Sequence, residues 1–398
     1  LSIPSKVKEL KEGWCKKVAN LNQISVSSDN KHYKCIDGKF IVGKSDEKSD
    51  NYDELVFSRR DIEEAEIPTN IKRICPYSFS DCSKLQTIHM SIKSDLVTID
   101  KYSFSQTSLQ TVSIPVNVRR IEERAFYCCF FLTSVVLPED SELVSIGKEA
   151  FDGSLISSLS IPSKVEELEE GWCKGTRYLY DISVSKDNQK YKYQDNKFII
   201  GKSDIKSDIY DELHISRRDI EEANIPSNIK RICSYSFSEC KQLKTINFSN
   251  KSNLQYIDKY AFSSSTLEQI NIPRQVKEIS DYAFYFCQEL VSIKFDNESE
   301  LQKINQSSFS STSLNTIYIP NKVEYIGESA FSECSKLTTI TFSENSNLLT
   351  FEESLFSYSS IEHISIPSQI NQIKARAFSC CKHLKKVDIS ADSELSII

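Results

Sequence analysis

Thirteen cysteines and five histidines are the side chains of this 398-residue sequence best suited to nucleophilic, acid–base or metal chemistry. Their spacing decides whether any such chemistry is built in. The histidines are His32, His89, His214, His363 and His383. None stands in the His-Glu-x-x-His arrangement that sets two ligands on one helix face, and no Cys-x-x-Cys pair marks a zinc or redox site. No Gly-x-Ser-x-Gly elbow, Gly-x-Gly-x-x-Gly turn or Gly-x-x-x-x-Gly-Lys loop is expected. Positions 158 residues away from His32, His89 and His214 hold Lys190, Asn247 and Val56, so whatever these histidines do is not kept in a second copy. Carboxylates such as Glu166 and Glu167 fall in a polar, solvent-facing stretch with no cleft to shift their pKa. The expectation is therefore no catalysis, no cofactor and no metal.

The cysteines are ordered instead by position. Cys82, Cys129, Cys240, Cys287, Cys334 and Cys381 each stand three residues after a phenylalanine, and the alternate phenylalanines are followed at the same distance by Thr107, Ser154, Ser265, Thr312 and Ser359. Small sulfur and hydroxyl side chains at one repeated corner form a structural ladder, each satisfying local backbone groups. Cysteines of the row are two turns apart, about 9.6 Å by strand spacing, beyond the roughly 7 Å reach of a disulfide. Cys128 and Cys380 precede row members and are read as outward-facing, exposed thiols.

That order belongs to a repeat. Apolar-x-Ile-Pro recurs at Ile3, Ile67, Ile114, Ile161, Ile225, Ile272, Ile319 and Ile366, at intervals of 47 or 64 residues. The phenylalanines Phe79, Phe104, Phe126 and Phe151, and then Phe237 to Phe378, alternate in steps of 25 and 22 residues, so 47 is two turns of 23 to 24 residues each. Segments 1–158 and 159–316 are duplicates without insertion or deletion, and 317–398 is a shorter third copy. Leu243-Lys-Thr-Ile246-Asn-Phe248 shows the unit: Ile246 and Phe248 alternate inward as in a strand, Asn247 faces out, and a second short apolar pair and the aromatic plug follow. No turn has the ten or more residues of 3.6-period patterning a helix needs. One turn cannot bury its own apolar edge, whereas stacked turns share a continuous core, so residues 1–398 are read as a single array.

The pattern resembles the BspA-like leucine-rich repeats, written as Ala-Phe-x-x-Cys-x-x-Leu-x-x-Ile after Ile-Pro-x-x-Val-x-x-Ile. It stands here as Ala330-Phe331-Ser-Glu-Cys334-Ser-Lys-Leu337-Thr-Thr-Ile340, preceded by Ile319-Pro320-Asn-Lys-Val323-Glu-Tyr-Ile326. Asn30…Tyr33…Asp37-Gly38-Lys-Phe40 looks like a longer variant of the same unit. The fold expected is a curved, right-handed β-solenoid, a leucine-rich-repeat rod with a parallel sheet on the concave face and little or no helix. The resemblance implies a surface-exposed or secreted protein of oral or gut bacteria or mucosal protists, engaged in adhesion to host proteins and cells. An intracellular, cytoplasmic scaffold built on the same solenoid is the alternative, which free thiols suit.

Two long units, 14–61 and 172–219, break the period. Each opens on tryptophan, Trp14 or Trp172, and carries a hairpin signal, Asp37-Gly38 or Asp195-Asn196, because both pairs tolerate the positive φ of a two-residue turn. A polar loop follows in each, solvated and without calcium-loop spacing, and these protrusions are candidate recognition elements. On the main strands the outward residues are short and hydrogen-bonding. Longer side chains gather toward the C-terminal part, and the candidate binding residues there are Asn271, Lys294, Tyr318, Thr341, His363 and Ser365.

The charge balance, 49 Lys+Arg against 56 Asp+Glu, argues against nucleic acid as a partner and leaves protein as the expected one. No apolar run approaches the roughly 18 residues of a membrane span. The sequence begins at Leu1 with its one methionine at Met90 and no charged-then-apolar leader, so it is read as a piece of a longer chain. Uncapped ends of such a stack are expected to self-associate end to end. Four Asn-x-Ser sequons, at Asn247, Asn250, Asn297 and Asn305, occur at a frequency that chance explains in a chain this rich in Asn and Ser.

Overall fold

The computed structural model describes all residues from Leu1 to Ile398, which form two compact units, Leu1–Lys192 and Tyr193–Ile398. Each unit is a β-solenoid built mainly from parallel strands without helix, about 17 turns in all. Each unit repeats one plan. A main strand of three or four residues is followed by a two-residue second strand, then a corner around the phenylalanine.

In the first unit the main strands Thr111–Ser113, Ser134–Val136, Ser158–Ile161 and Asp181–Val184 pair in that order, all parallel. The second strands Arg73–Ile74, Thr98–Ile99, Arg120–Ile121, Ser145–Ile146 and Glu167–Leu168 form another parallel sheet. In the second unit Glu222–Ile225, Thr245–Phe248, Gln269–Ile272 and Ser292–Phe295 form one main sheet, and Thr316–Ile319, Thr339–Phe342, His363–Ile366 and Lys386–Ile389 another. Period-2 alternation sets the burial: in Gln269–Ile272 and Thr316–Ile319 the first and third residues are exposed and the isoleucines are buried.

A column of phenylalanine rings runs through the core of each unit. Phe79, Phe104, Phe126 and Phe151 stack at 5.0, 5.2 and 5.5 Å between centroids. Phe237, Phe262, Phe284 and Phe309 continue the same motif at 5.0, 5.0 and 5.2 Å in the second unit, with interplanar angles of 3° to 6°. All eight rings are fully buried. Because a 23- to 24-residue turn returns the ring to the same place one strand spacing further on, the rings must meet face over face, and offset stacking adds to their burial energy.

The corners hold what the sequence does not announce. Twenty-five non-glycine residues have positive φ, which makes the conformation part of the architecture rather than isolated strain. Most stand two residues before or after a phenylalanine, as do Tyr77 and Asp81 (φ 61° and 62°) beside Phe79. Around them the amides alternate. Tyr77, Phe79 and Asp81 donate to the carbonyls of Lys101, Ser103 and Ser105 in the next turn, whereas Ser78, Ser80 and Cys82 donate back to Cys75, Tyr77 and Phe79. A left-handed residue costs roughly 1–2 kcal/mol. Here it orients each amide toward a partner, and a buried amide left unbonded would cost a similar amount or more.

Both long units carry the expected hairpin. Tyr33–Ile36 pairs antiparallel with Phe40–Gly43 across a turn at Asp37 and Gly38 (φ 50° and 62°), and Asp195 and Asn196 repeat it at 53° and 54°. Phe40–Gly43 and Phe198–Gly201 then pair antiparallel with Glu54–Ser58 and Glu212–Ser216, which join the parallel second sheets. Asn30 anchors the first hairpin. Its Nδ2 donates to Pro4 O (2.8 Å) and Val7 O (3.0 Å), and its Oδ1 accepts from the His32 and Tyr33 amides. Asn188 makes the same four bonds in the second copy.

Candidate recognition surface

The candidate binding residues are fixed by strand register in the second unit. Asn271 lies opposite Lys294, and Tyr318 opposite Thr341. His363 lies opposite Lys386, and Ser365 opposite Asp388. The inward neighbours Ile270, Ile293, Ile317, Ile340 and Ile364 are buried, so the polar residues between them must face solvent.

Two depressions form where these strands end. The larger, a cleft of about 810 Å³, lies over the ends of Thr245–Phe248, Gln269–Ile272 and Ser292–Phe295; Asn247, Asn250, Asn271, Lys294, Arg274 and Asp296 line it. Arg274 is ion-paired with Glu298. A smaller groove of about 300 Å³ is lined by Thr341, His363, Ser365 and Glu344. Tyr318 sits on the strand between, 52% exposed and lining neither. His363 Nε2 lies 2.5 Å from Asp388 Oδ2, and Lys386 Nζ is 2.9 Å from the other oxygen. These donors hold the Asp388 carboxyl below its usual pKa, Lys386 first and His363 next. Such a surface offers amide, hydroxyl, ammonium and carboxylate groups to a partner.

The sulfur–hydroxyl row is separate from this surface and lies inside. Cys82, Cys129, Cys240, Cys287 and Cys334 are fully buried. Thr107 Oγ1 is 3.3 Å from Cys129 Sγ, Ser265 Oγ is 3.5 Å from Cys287 Sγ, and Thr312 Oγ1 is 3.3 Å from Cys334 Sγ. Each of those thiols donates to the carbonyl of a phenylalanine one turn back: Phe104, Phe262 and Phe309, at 3.1, 3.0 and 3.1 Å. Burial pushes the three thiols up to about 11. Cys381 is half-buried and keeps the same contacts, to Ser359 Oγ and Phe356 O. Of the two thiols read as outward, Cys380 is exposed and Cys128 only half so.

Several residues escape sequence reasoning. Arg60 and Arg218, within the duplicated Ser-Arg-Arg, are 3% and 2% exposed. Arg60 donates to the carbonyls of Ser78 (2.7 Å), Tyr77 (3.1 Å) and Val18 (3.1 Å), closing the corner where the long unit interrupts the ladder. Arg218 does the same to Ser236 and Tyr235. The repetition of the motif is the only signal for this. Asp53 and Asp211 anchor the polar loops. Burial pushes the Asp53 carboxyl up, but hydrogen bonds from the Ser45 amide and hydroxyl and from Lys72 bring it below its usual pKa, and Ser203 and Lys230 do so for Asp211. Phe130 and Phe131 stand 57% and 58% exposed in the first unit, an apolar pair that periodicity gives no reason to expect. Against the expectation of no such loop, Gly38-Lys-Phe-Ile-Val-Gly43-Lys44-Ser45 has the spacing of a phosphate-binding loop. The structure commits it to the hairpin, with Phe40, Ile41 and Val42 buried and the Lys44 ammonium 4.9 Å over the Tyr52 ring.

Residues 51–190, 207–324 and 302–397 match the profile of the BspA type leucine rich repeat region, in six copies. No curated protein matches the sequence. Among solved structures, a leucine-rich repeat protein from Eubacterium ventriosum is similar with a TM-score of 0.68 and 22% identity, over 81% of this chain and 83% of that one. The pneumococcal vaccine antigen PcpA is similar with a TM-score of 0.59 and 18% identity, over 84% of this chain and 78% of that one. At these identities the likeness is one of fold. No helix is long and apolar enough to cross a membrane.

Proposed function

The chain belongs to the BspA-type leucine-rich repeat family, and from that premise we propose that it is a non-catalytic protein of the cell surface that adheres to a protein partner. One observation carries this reading: Asn271 and Lys294 line the larger cleft, Thr341, His363 and Ser365 line the smaller groove, and exposed Tyr318 stands between them. A rigid sheet that presents hydrogen-bonding groups in fixed register around one exposed aromatic ring matches the anatomy of a polar protein interface, where tyrosine anchors are surrounded by directional contacts. The likeness in fold to a vaccine antigen fits a surface address.

The test is surface plasmon resonance of the chain against immobilised extracellular-matrix and cell-surface proteins. Lys294→Ala with Tyr318→Ala should weaken the strongest interaction at least about tenfold, in the range of a hot-spot loss, while Val136→Ala in the first unit leaves it unchanged. Equal binding by all three proteins would refute the placement of the site. A scaffold inside the cell is the second reading, favoured by thiols that pair with hydroxyls in the core rather than with each other. Antibody staining of intact, unpermeabilised cells separates the two, a surface signal supporting adhesion and its absence the scaffold.

A further inference from the structure

Strand register gathers three metal-binding side chains that lie far apart in the spacing rules of known motifs. Glu212 and His214 alternate with buried Leu213 and Ile215 on Glu212–Ser216, so both face away from the core. The neighbouring parallel strand pairs Arg231 with Glu212 and Ile232 with Leu213, which brings Cys233 beside His214. The carboxylate oxygen, imidazole nitrogen and thiol sulfur all lie within 4.8 Å of one another. His214 Nε2 and Glu212 Oε2 are 3.4 Å apart. The His214 and Glu212 side chains are only 13% and 20% exposed, and Cys233 is half-buried, so the cluster is sheltered without being closed.

The surrounding charges suit a cation better than the presence of Arg231 suggests. Its guanidinium contacts Asp258 Oδ1 at 2.6 Å and stands 3.8 Å from the far oxygen of Glu212, Oε1. Asp258 is thus the closer partner of that positive charge, and Oε2 is the Glu212 oxygen beside His214. One sulfur, one imidazole nitrogen and one carboxylate oxygen are the donor set of a borderline cation; Zn²⁺ accepts all three and keeps a fourth position for water. Binding would take the Cys233 proton and use neutral His214.

We propose that Glu212, His214 and Cys233 form a binding site for one Zn²⁺ ion in the second unit. The 158-residue duplication supplies an internal control. The corresponding residues in the first unit are Glu54, Val56 and Cys75 on equivalent paired strands, so that copy keeps two donors and lacks the histidine. Spacing along the chain gives no sign of this metal site, because the three ligands are neighbours across strands.

The experiment is a titration of the reduced full chain with Co²⁺, followed by thiolate-to-cobalt charge-transfer absorption and by displacement with Zn²⁺. Wild type should take up one equivalent with the absorption of a single thiolate, and Zn²⁺ should abolish the signal. His214→Val places in the site the residue the folded twin already carries, so its circular dichroism should match wild type while Co²⁺ affinity falls more than about 100-fold, beyond the loss of an outer-shell contact. Cys233→Ser should remove the band and Cys75→Ser should leave it. No band in wild type, a band that survives His214→Val, or a band lost in Cys75→Ser would each overturn the assignment.

Discussion

Replacing Arg60 by methionine tests whether the interrupted ladder is closed by a side chain. Methionine keeps the length and apolar stem while removing every donor. Arg60 holds three backbone carbonyls at 2.7, 3.1 and 3.1 Å, and its guanidinium carbon lies 4.3 Å over the Phe57 ring. Hydrogen bonds from a charged donor contribute about 1.5–3 kcal/mol each, and the cation–ring contact adds about 1 kcal/mol. Against this stands the cost of keeping a guanidinium out of water, several kcal/mol, which the substitution relieves. The net expectation is a loss of about 2–4 kcal/mol. Arg218 holds two carbonyls, at 2.8 and 3.3 Å, one fewer, so Arg218→Met should lose about 1.5–3 kcal/mol less than Arg60→Met. Adjacent Arg59 is the control: it makes a two-pronged ion pair with Asp61 at the surface, and Arg59→Met should change stability by less than about 1 kcal/mol. Urea denaturation gives the differences, and amide hydrogen exchange over residues 75–82 locates the weakened corner. Equal losses for Arg59→Met and Arg60→Met, or unchanged exchange at Tyr77 and Ser78, would refute the reasoning.

Three further outcomes follow from the packing. A Cβ added at Gly327 would sit 2.5 Å from the Gln306 amide nitrogen of the previous turn, backbone that cannot move aside, so Gly327→Ala should lower stability by about 1–3 kcal/mol, read from the urea midpoint. Burial pushes the Asp258 carboxyl up to about 6 despite the Arg231 ion pair, above the unfolded value near 3.9. The native state then holds that proton longer than the unfolded chain, and its contribution is present below pH 4 and lost as pH rises through 6. Asp258→Asn should remove this slope, gaining up to about 3 kcal/mol relative to wild type between pH 4 and 7. Brief alkylation of the native chain followed by peptide mapping should modify Cys380 first, because it is exposed and hydrogen bonds from Tyr358 and Ser379 lower its pKa, while Cys129, Cys287 and Cys334 react only on unfolding. Equal labelling of all four would show that the buried row is open.

Strands, aromatic column and hairpins were legible because each follows from a period or from a turn residue with a fixed conformational preference. Ile246 and Ile270 alternate with polar residues, the phenylalanines return every 22 or 25 positions, and Asp37-Gly38 has few other uses. The corners were not legible. Their left-handed residues include tyrosine, arginine, glutamate and cysteine, with no glycine bias to mark them, since the conformation is imposed by interturn hydrogen bonds rather than by local preference. Arg60 was hidden for a related reason: an arginine beside an arginine and an aspartate reads as surface, and only the carbonyls stranded by the long unit draw it inward. Pattern along the chain likewise found the outward rows but not the clefts, because loops such as 249–252 and 296–300 build the walls that receive Asn271 and Lys294.

The duplication separates what the fold requires from what it permits. Asn30 and Asn188, Arg60 and Arg218, and Asp53 and Asp211 are identical pairs, and each satisfies backbone or loop groups that would otherwise be stranded where the long unit breaks the stack. Substitution at any of them leaves buried polar groups without partners, a penalty that acts on both copies alike. Outward positions carry no such penalty, and there the copies diverge: His89 becomes Asn247, and Val56 becomes His214. Ser113, the counterpart of Asn271, is likewise shorter than its partner in the second copy, and Val136 is apolar where Lys294 is charged. In both pairs the longer or charged member lies on the larger cleft of the second unit. Folding therefore decides the residue at the buried anchor positions, whereas at these outward positions the repeat accepts either member of the pair.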